Sequence, residues 1–364
     1  MRPEIGFWTT TEGGDRPVRV LVTGHHGYIG SVTVPALVAA GHDVVGADTR
    51  FYEGCDLFEG VAPAEERRVD VRDLTAADLD GFDAVVHLAA LSNDPLGDFA
   101  PELTAEINYG ATLSLARAAR EAGVGRLIFA SSCSMYGMQD GDTPVDEDAP
   151  QQPLTAYAES KVRAERELAL LASDDFSPIF MRNATAYGAS PRLRLDIVLN
   201  NLVGWAVTTG SVKIMSDGTP WRPLVHIQDI AGATAALLDA PRELVHGKAF
   251  NIGGGDENYQ VMELGEIVRE TVPGCTVQYA GTGDPDPRSY RVDFGAFARA
   301  FPEFRFEWDA RRGAAELHDA YRRSSLTLDD FEGDRFVRLR RLRRLLDGGL
   351  LDDRLRWQTT GVAS

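Results

Sequence analysis

Apolar residues in the first half of this chain fall into short unbroken runs separated by longer stretches with helical spacing. Residues 18–23, Val-Arg-Val-Leu-Val-Thr, form the first run and read as a buried strand. Residues 29–40 follow as a helix with Pro35 well inside it, where the ring should kink the helix or mark its early turn. Further strands are predicted at 43–47, 67–71, 82–87, 126–130 and 178–181. Between them, residues 75–79 open like a short capped helix with Asp78 at the acidic capping position. Residues 103–122 read as one long helix closed by Gly123, and residues 155–172 as another. Strands alternating with helices predict an α/β fold with a doubly wound parallel sheet of the Rossmann kind.

After Gly188 the alternation breaks down. Residues 196–207 and 226–238 read as helices, 217–220 as a Gly/Pro turn and 250–255 as a return strand and turn; 262–270, 293–300 and 314–321 are weaker helices. The expected organisation is a loose arm at 1–17 and a sheet domain from 18–188 and about 224–257. A smaller, interleaved C-terminal substrate-binding region covers 189–223 and 258–330, and a basic helical tail 331–364. The stripe of Arg and Leu at 336–346 reads as a solvated helix packed on the body rather than as a membrane or partner helix.

Charge narrows the function. The 364 residues carry 37 Lys and Arg against 55 Asp and Glu, a net charge of −18. A nucleic-acid surface needs a basic stripe and is not expected. An anionic ligand would need a local arginine cluster inside an acidic protein. Three widely spaced cysteines, Cys55, Cys133 and Cys275, offer neither a disulfide framework nor zinc spacing. No signal-peptide core is seen at the N-terminus, and no apolar run reaches about 18 residues. A cytoplasmic enzyme without a membrane partner is the expectation.

The chemistry lies in two motifs. Tyr157 and Lys161 stand four apart, on one face of a helix. With ten Tyr and only three Lys in the chain, chance seldom produces such a pair. An ammonium fixed beside a phenol favours the phenolate, which suits a general base that removes an alcohol proton. The second motif, Thr23-Gly24-His-His-Gly27-Tyr28-Ile29-Gly30, follows the first strand and opens the first helix. In that context Gly24 permits a tight turn, Gly27 lets backbone approach a pyrophosphate, and Gly30 lets the helix pack on the sheet, with helix N–H groups aimed at the phosphates. Asp48 ends the second strand and can accept from the adenosine ribose hydroxyls, which favours NAD over NADP; Arg50, two residues on, pulls the other way. Asp70 and Val71 are placed to meet the adenine. Leu88, Ala89 and Ala90 allow close approach to the nicotinamide ribose.

Several further markers accompany these: His87-Leu-Ala-Ala90, Asn108, Ser131-Ser132-Cys-Ser-Met-Tyr-Gly137 and Arg182-x-x-x-x-Tyr187-Gly188. Together the chain resembles the extended short-chain dehydrogenase/reductase superfamily in its nucleotide-sugar epimerase/dehydratase branch, across residues 18–306. The resemblance implies Ser132 as the catalytic hydroxyl, Tyr157 as base, Lys161 as its pKa-lowering and ribose-holding partner, and Asn108 as a support from behind. It implies Arg222 and Arg288 as clamps on a substrate diphosphate, for which the arginine fork is suited. Cys133 and Ser134 replace the Asp-Glu pair that dehydratases of this branch carry, which counts against water loss. Thr185 stands where many 4-epimerases place a substrate-binding Asn, and Asn183 lies two positions earlier. Cys133, Ser134, Asn183, Thr185 and Asn200 complete the expected substrate contacts. The implied activity is NAD-dependent epimerisation of a nucleotide-diphosphate sugar, most simply at C4 through a transient 4-keto sugar. The alternatives are a 4-keto-sugar reductase, a sugar dehydrogenase or an atypical dehydratase on the same scaffold. The helices at 103–122 and 155–172 resemble those that pair subunits in relatives, so a homodimer is expected.

Overall fold

Val20 and Val22 enter one apolar core while Leu21, between them, enters another. A strand buried on both faces requires layers on both sides of its sheet. The structure, a computed structural model, describes residues 17–63, 65–92, 100–139, 143–279 and 288–358. The expected N-terminal arm therefore lies outside the described residues, apart from Pro17.

In chain order the strands are β1 (Arg19–Thr23), β2 (Asp43–Asp48), β3 (Glu65–Arg68), β4 (Ala84–His87), β5 (Arg126–Ser132), β6 (Ser177–Asn183), β7 (Thr185–Tyr187), β8 (Ser211–Ile214), β9 (Trp221–His226), β10 (Ala249–Ile252), β11 (Asn258–Gln260) and β12 (Thr276–Tyr279). Among the described residues seven of them form one parallel sheet in the order β10-β6-β5-β4-β1-β2-β3. The chain winds outward from β1 in one direction and from β4 in the other. The crevice beyond the C-terminal ends of β1 and β4 is thus the switch point where such sheets bind ligands.

The helices Gly30–Ala39 and Ile227–Asp239 cover one face and fill its core with Val34, Leu37, Ile230 and Leu237. Thr112–Glu121 and Ala156–Ala169 cover the other with Leu115, Ala119, Ala164 and Leu168. A third core gathers Leu199, Leu264 and Leu317 from the helices Val198–Thr209, Val261–Thr271 and Ala310–Arg323. Beside it lie two small sheets, β11-β9-β7 and β12-β8.

Three local expectations are modified. The helix carrying Pro35 runs through it to Ala39, although proline has no N–H to give the preceding turn. The third strand ends at Arg68 because Asp70 turns the chain, its carboxylate accepting from the Arg72 N–H at 2.9 Å. The long helix is not uniform. Pro101–Thr104 leads into a wider π-helical stretch, Ala105–Ala111, before the α-helix Thr112–Glu121. That stretch carries Asn108, as π-turns often carry functional groups. The basic tail forms the helix Arg338–Asp347, which buries Leu342 and Leu345 in the second core. Beyond it, the Trp357 indole donates to the Thr49 carbonyl at 2.7 Å. No described helix is long and apolar enough to cross a membrane.

Candidate active site

Residues just past the C-terminal ends of β1, β2, β4, β5 and β6 converge on a cleft of about 620 Å³. Gly24 leaves β1 with φ +74°, and a Cβ there would sit 2.7 Å from the Ala89 nitrogen. The turn needs glycine for its angle and for its approach to the chain leaving β4. Gly27 has only the Gly24 carbonyl near its missing Cβ, at 3.1 Å, so its other side is open. A Cβ at Gly30 would lie 2.3 Å from the Gly24 oxygen. Gly30 therefore makes room for the turn itself, not for the sheet as expected from the spacing. Tyr28 and Ile29 also line the cleft, and the Tyr28 hydroxyl donates to the Gly188 carbonyl at 2.8 Å. An open glycine turn at a helix N-terminus, with no side chain in the way, fits a dinucleotide diphosphate.

The adenosine end is set by β2. Asp48 lines the cleft, accepting from the backbone N–H of Arg50 at 2.6 Å and of His26 at 3.1 Å; burial raises its pKa. Arg50, at φ +59°, does not line the cleft. Its guanidinium is ion-paired with Glu66 and lies 3.4 Å from Glu53. The cation that could have held a 2′-phosphate is thus committed to carboxylates. Asp70 and Val71 line the cleft, but the Asp70 carboxylate is held by Arg72 at 2.7 Å and Arg356 at 3.4 Å. Those contacts lower its pKa against burial, which acts the other way. Leu88, Ala89 and Ala90 form the adjoining wall.

Ser132, Tyr157 and Lys161 share this cleft. Thr155 caps the helix Ala156–Ala169 by accepting from the Ala158 N–H at 3.2 Å, which sets Tyr157 in the first turn and Lys161 in the next. The Lys161 ammonium donates to the Ala130 carbonyl at 2.7 Å and lies 4.5 Å from the Phe129 ring centroid and 5.7 Å from that of Tyr157. Burial pushes its pKa down to about 7, with Glu165 opposing. The Ser132 hydroxyl caps the turn Cys133–Tyr136, accepting from the Ser134 N–H at 3.2 Å and donating to the Ser134 hydroxyl at 2.9 Å. Asn108 lies behind this wall. Its amide bonds both backbone groups of Leu91, at 2.8 and 3.1 Å, and reaches the Ser160 hydroxyl at 3.3 Å. A buried relay runs from Thr23 through His87 to Thr112, whose hydroxyl donates to the Asn108 carbonyl at 2.8 Å, and burial lowers His87 to about 3, so its ring is neutral.

On the substrate side Ser134, Asn183, Thr185, Arg222 and Arg288 line the cleft. The Asn183 amide oxygen is buried without a hydrogen-bond partner among the described residues. Arg222 donates to the backbone carbonyls of Trp221 and Arg288, which ties the two arginine segments together. Cys133 and Asn200 do not reach the cleft. The Cys133 thiol faces the Arg182 carbonyl at 3.0 Å, and burial raises its pKa well above the ordinary thiol value. Asn200 accepts from the Gly188 N–H at 3.0 Å and donates to the Arg194 carbonyl at 3.0 Å, bracing the loop behind Tyr28. Three cations on the cleft wall escaped the sequence reading: Arg194, paired with Asp196 at 2.9 Å; Lys213, 4.0 Å from the Trp205 ring centroid; and Arg338. Among the described residues Lys161, Lys213, Arg194, Arg222, Arg288 and Arg338 face only Asp48, Asp70 and Asp196 as acids on that wall. The cleft is locally cationic in an acidic chain.

Comparison with known proteins gives the same direction. The sequence model of the NAD dependent epimerase/dehydratase family matches residues 20–253. A UDP-glucose 4-epimerase of Corynebacterium glutamicum is 33% identical over 270 residues, 70% of this chain and 80% of that protein. The structure of MoeE5 in complex with UDP-glucose and NAD superposes with a TM-score of 0.73 at 31% identity, covering 84% of this chain and 99% of that one. DesIV, a dTDP-glucose 4,6-dehydratase from Streptomyces venezuelae solved with NAD, gives 0.72 at 26% identity, over 84% and 97%.

Proposed function

The chain belongs to the NAD-dependent epimerase/dehydratase family, an NAD-dependent enzyme of the extended short-chain dehydrogenase type, and on that premise we propose that it is a nucleotide-sugar epimerase acting at C4. The observation that carries the reading is the shared cleft: glycine turn, Ser132, Tyr157, Lys161 and the arginine pair stand on one wall whose excess charge is positive. A diphosphate sugar and a dinucleotide are both polyanions, and such a wall suits both.

The glycine turn and the N-terminus of the helix Gly30–Ala39 would hold the cofactor diphosphate, Asp48 its adenosine ribose and Lys161 its nicotinamide ribose. Bound NAD+ would supply the reversible hydride acceptor that oxidation and re-reduction of the sugar carbon require. Ser132 hydrogen-bonds the sugar oxygen that changes protonation. Tyr157, as phenolate, takes the C4 hydroxyl proton and returns it after the 4-keto sugar has turned. The Lys161 ammonium favours that phenolate. Arg222 and Arg288 hold the substrate diphosphate while the sugar turns. Cys133 is no substitute for a general acid, because its thiol is buried and points to Arg182 rather than the cleft. This favours epimerase over dehydratase chemistry. The named activities of the relatives make UDP-glucose and UDP-galactose the first substrates to try. We also propose a cytoplasmic enzyme, supported by three free, buried cysteines, and a homodimer paired through the helices Thr112–Glu121 and Ala156–Ala169.

The test is proton NMR of purified enzyme with UDP-, GDP- and dTDP-hexoses. The C4 epimer should appear without net NADH, and Tyr157→Phe should slow it by about 10²–10⁴-fold while NAD still co-purifies. No epimer from any sugar, with steady NADH formation, replaces the epimerase by a net oxidoreductase.

A further inference from the structure

We infer that Arg338, from the C-terminal helix, is an anion-binding residue of the cofactor cleft whose guanidinium takes the diphosphate of the bound dinucleotide. The inference rests on the dinucleotide reading of the glycine turn and adds a residue from the far end of the chain.

Arg338 is the first residue of the helix Arg338–Asp347, lines the cleft and is 2% exposed. Its guanidinium carbon lies 3.8 Å from the ring centroid of Tyr52, another cleft residue, so the ring helps to fix the group in place. One terminal nitrogen, Nη2, donates to the Arg192 carbonyl at 2.9 Å; the other, Nη1, is buried without a hydrogen-bond partner among the described residues. Charged groups are seldom buried unless paired, since desolvation is costly. Among the described residues the neighbouring arginines each have a carboxylate: Arg50 has Glu66, Arg72 has Asp70, Arg192 has Asp56 and Arg194 has Asp196. No described carboxylate lies within ion-pair distance of Arg338.

The location selects the ligand. Arg338 packs on Tyr52, in the loop that follows Asp48, and donates to the carbonyl of Arg192, whose own guanidinium lies 2.7 Å from the His26 ring in the glycine turn. It therefore faces the dinucleotide end of the cleft, while Arg222 and Arg288 stand on the substrate side. A helix N-terminus supplies roughly half a unit charge, whereas a dinucleotide diphosphate carries two negative charges. His26 cannot supply the remainder: burial and Arg192 lower it to about 3, so it is neutral at working pH. A flat, always-charged guanidinium with a spare N–H meets that need.

The experiment compares Arg338→Met with the parent. NAD content of the purified proteins is measured first. NADH, ADP-ribose, adenosine and UDP are then titrated into protein freed of cofactor. A lost charge-assisted contact should weaken NADH and ADP-ribose by about 10- to 100-fold, leave adenosine and UDP unchanged, and shrink the NADH-induced rise in melting temperature. The ligand-free variant should melt no lower than the parent, because a desolvated charge has gone. Arg338→Lys, which keeps the charge, should recover part of the affinity, and it replaces the methionine variant if that one does not fold. Parent-like NADH binding by a folded variant overturns the assignment. So does equal weakening of adenosine and ADP-ribose, which would mark a structural role, or weakening of UDP alone, which would give Arg338 to the substrate.

Discussion

Replacing Lys161 by methionine should stabilise the ligand-free protein at neutral pH while it removes turnover. Lys161 is 3% exposed, and burial lowers its pKa from 10.5 to about 7. At about 1.4 kcal/mol per pKa unit, holding the charge in place costs on the order of 4–5 kcal/mol at pH 6.5. Methionine forgoes the hydrogen bond to Ala130 and the contact with the Phe129 ring. Together those are worth about 2–3 kcal/mol. A net gain of about 2 kcal/mol remains. The sign reverses with pH. Between 7 and 10.5 the unfolded chain binds the proton that the folded chain has released, so the stability of the parent rises with pH across that window. At pH 9.5 the charge penalty has fallen to about 1 kcal/mol, and the variant should be the less stable by a similar amount. Urea denaturation of cofactor-free parent and variant at pH 6.5 and 9.5 measures both differences. A gap of the same sign and size at the two pH values would refute the argument, because only the ionisation of Lys161 makes it change.

Gly30→Ala places a Cβ 2.3 Å from the Gly24 oxygen and 2.6 Å from the His25 Cα, both backbone atoms. It should cost more than about 2 kcal/mol and strip the purified protein of NAD; a variant with the parent's NAD content and melting temperature would contradict it. A second prediction concerns two carboxylates, Glu257 and Asp229. Burial raises Glu257 to about 7 and Asp229 to about 6, although Glu257 accepts from the Ala310 N–H and Asp229 from those of Glu307 and Trp308, and the charge of Asp229 adds to the rise at Glu257. Their neutral forms contribute stability that is full below pH 4 and lost as pH rises through 6 and 7. The melting temperature of the parent should fall relative to Glu257→Gln between pH 5.5 and 8, and parallel curves would exclude the idea.

Six strands of the large sheet were legible because strands buried on both faces are contiguous apolar runs, as in Leu127-Ile-Phe129 between its turns. The edge strand Glu65–Arg68 is all charge, as edge strands can be, and only its second half fell within the predicted range. The smaller sheets left no such trace. β7 and β11 are three residues long, and β9 holds Pro223, which argues against a central strand. The π-helical stretch was invisible for another reason: residues 103–122 keep helical composition throughout, and the wider turn exists only in its hydrogen bonds.

The site divides along the same physical line. Gly24, Asp48, Ser132 and Asn183 stand at or just past strand ends, where local spacing alone aims them at the crevice. Arg194, Lys213 and Arg338 reach the cleft through tertiary packing, which local spacing does not encode. Arg338 and Arg340 look alike in a run of Arg and Leu, yet the first is buried against Tyr52 and the second exposed, since one turn face meets the loop after β2 and the other meets water. Net charge is similarly blind to a site. Exposed charges more than roughly 10 Å apart are screened at ordinary ionic strength, so a polyanion in the cleft responds to the six cations and three acids of its wall rather than to the −18 of the whole chain. The acidic balance argues against a long basic surface for nucleic acid, but it leaves room for two diphosphates inside.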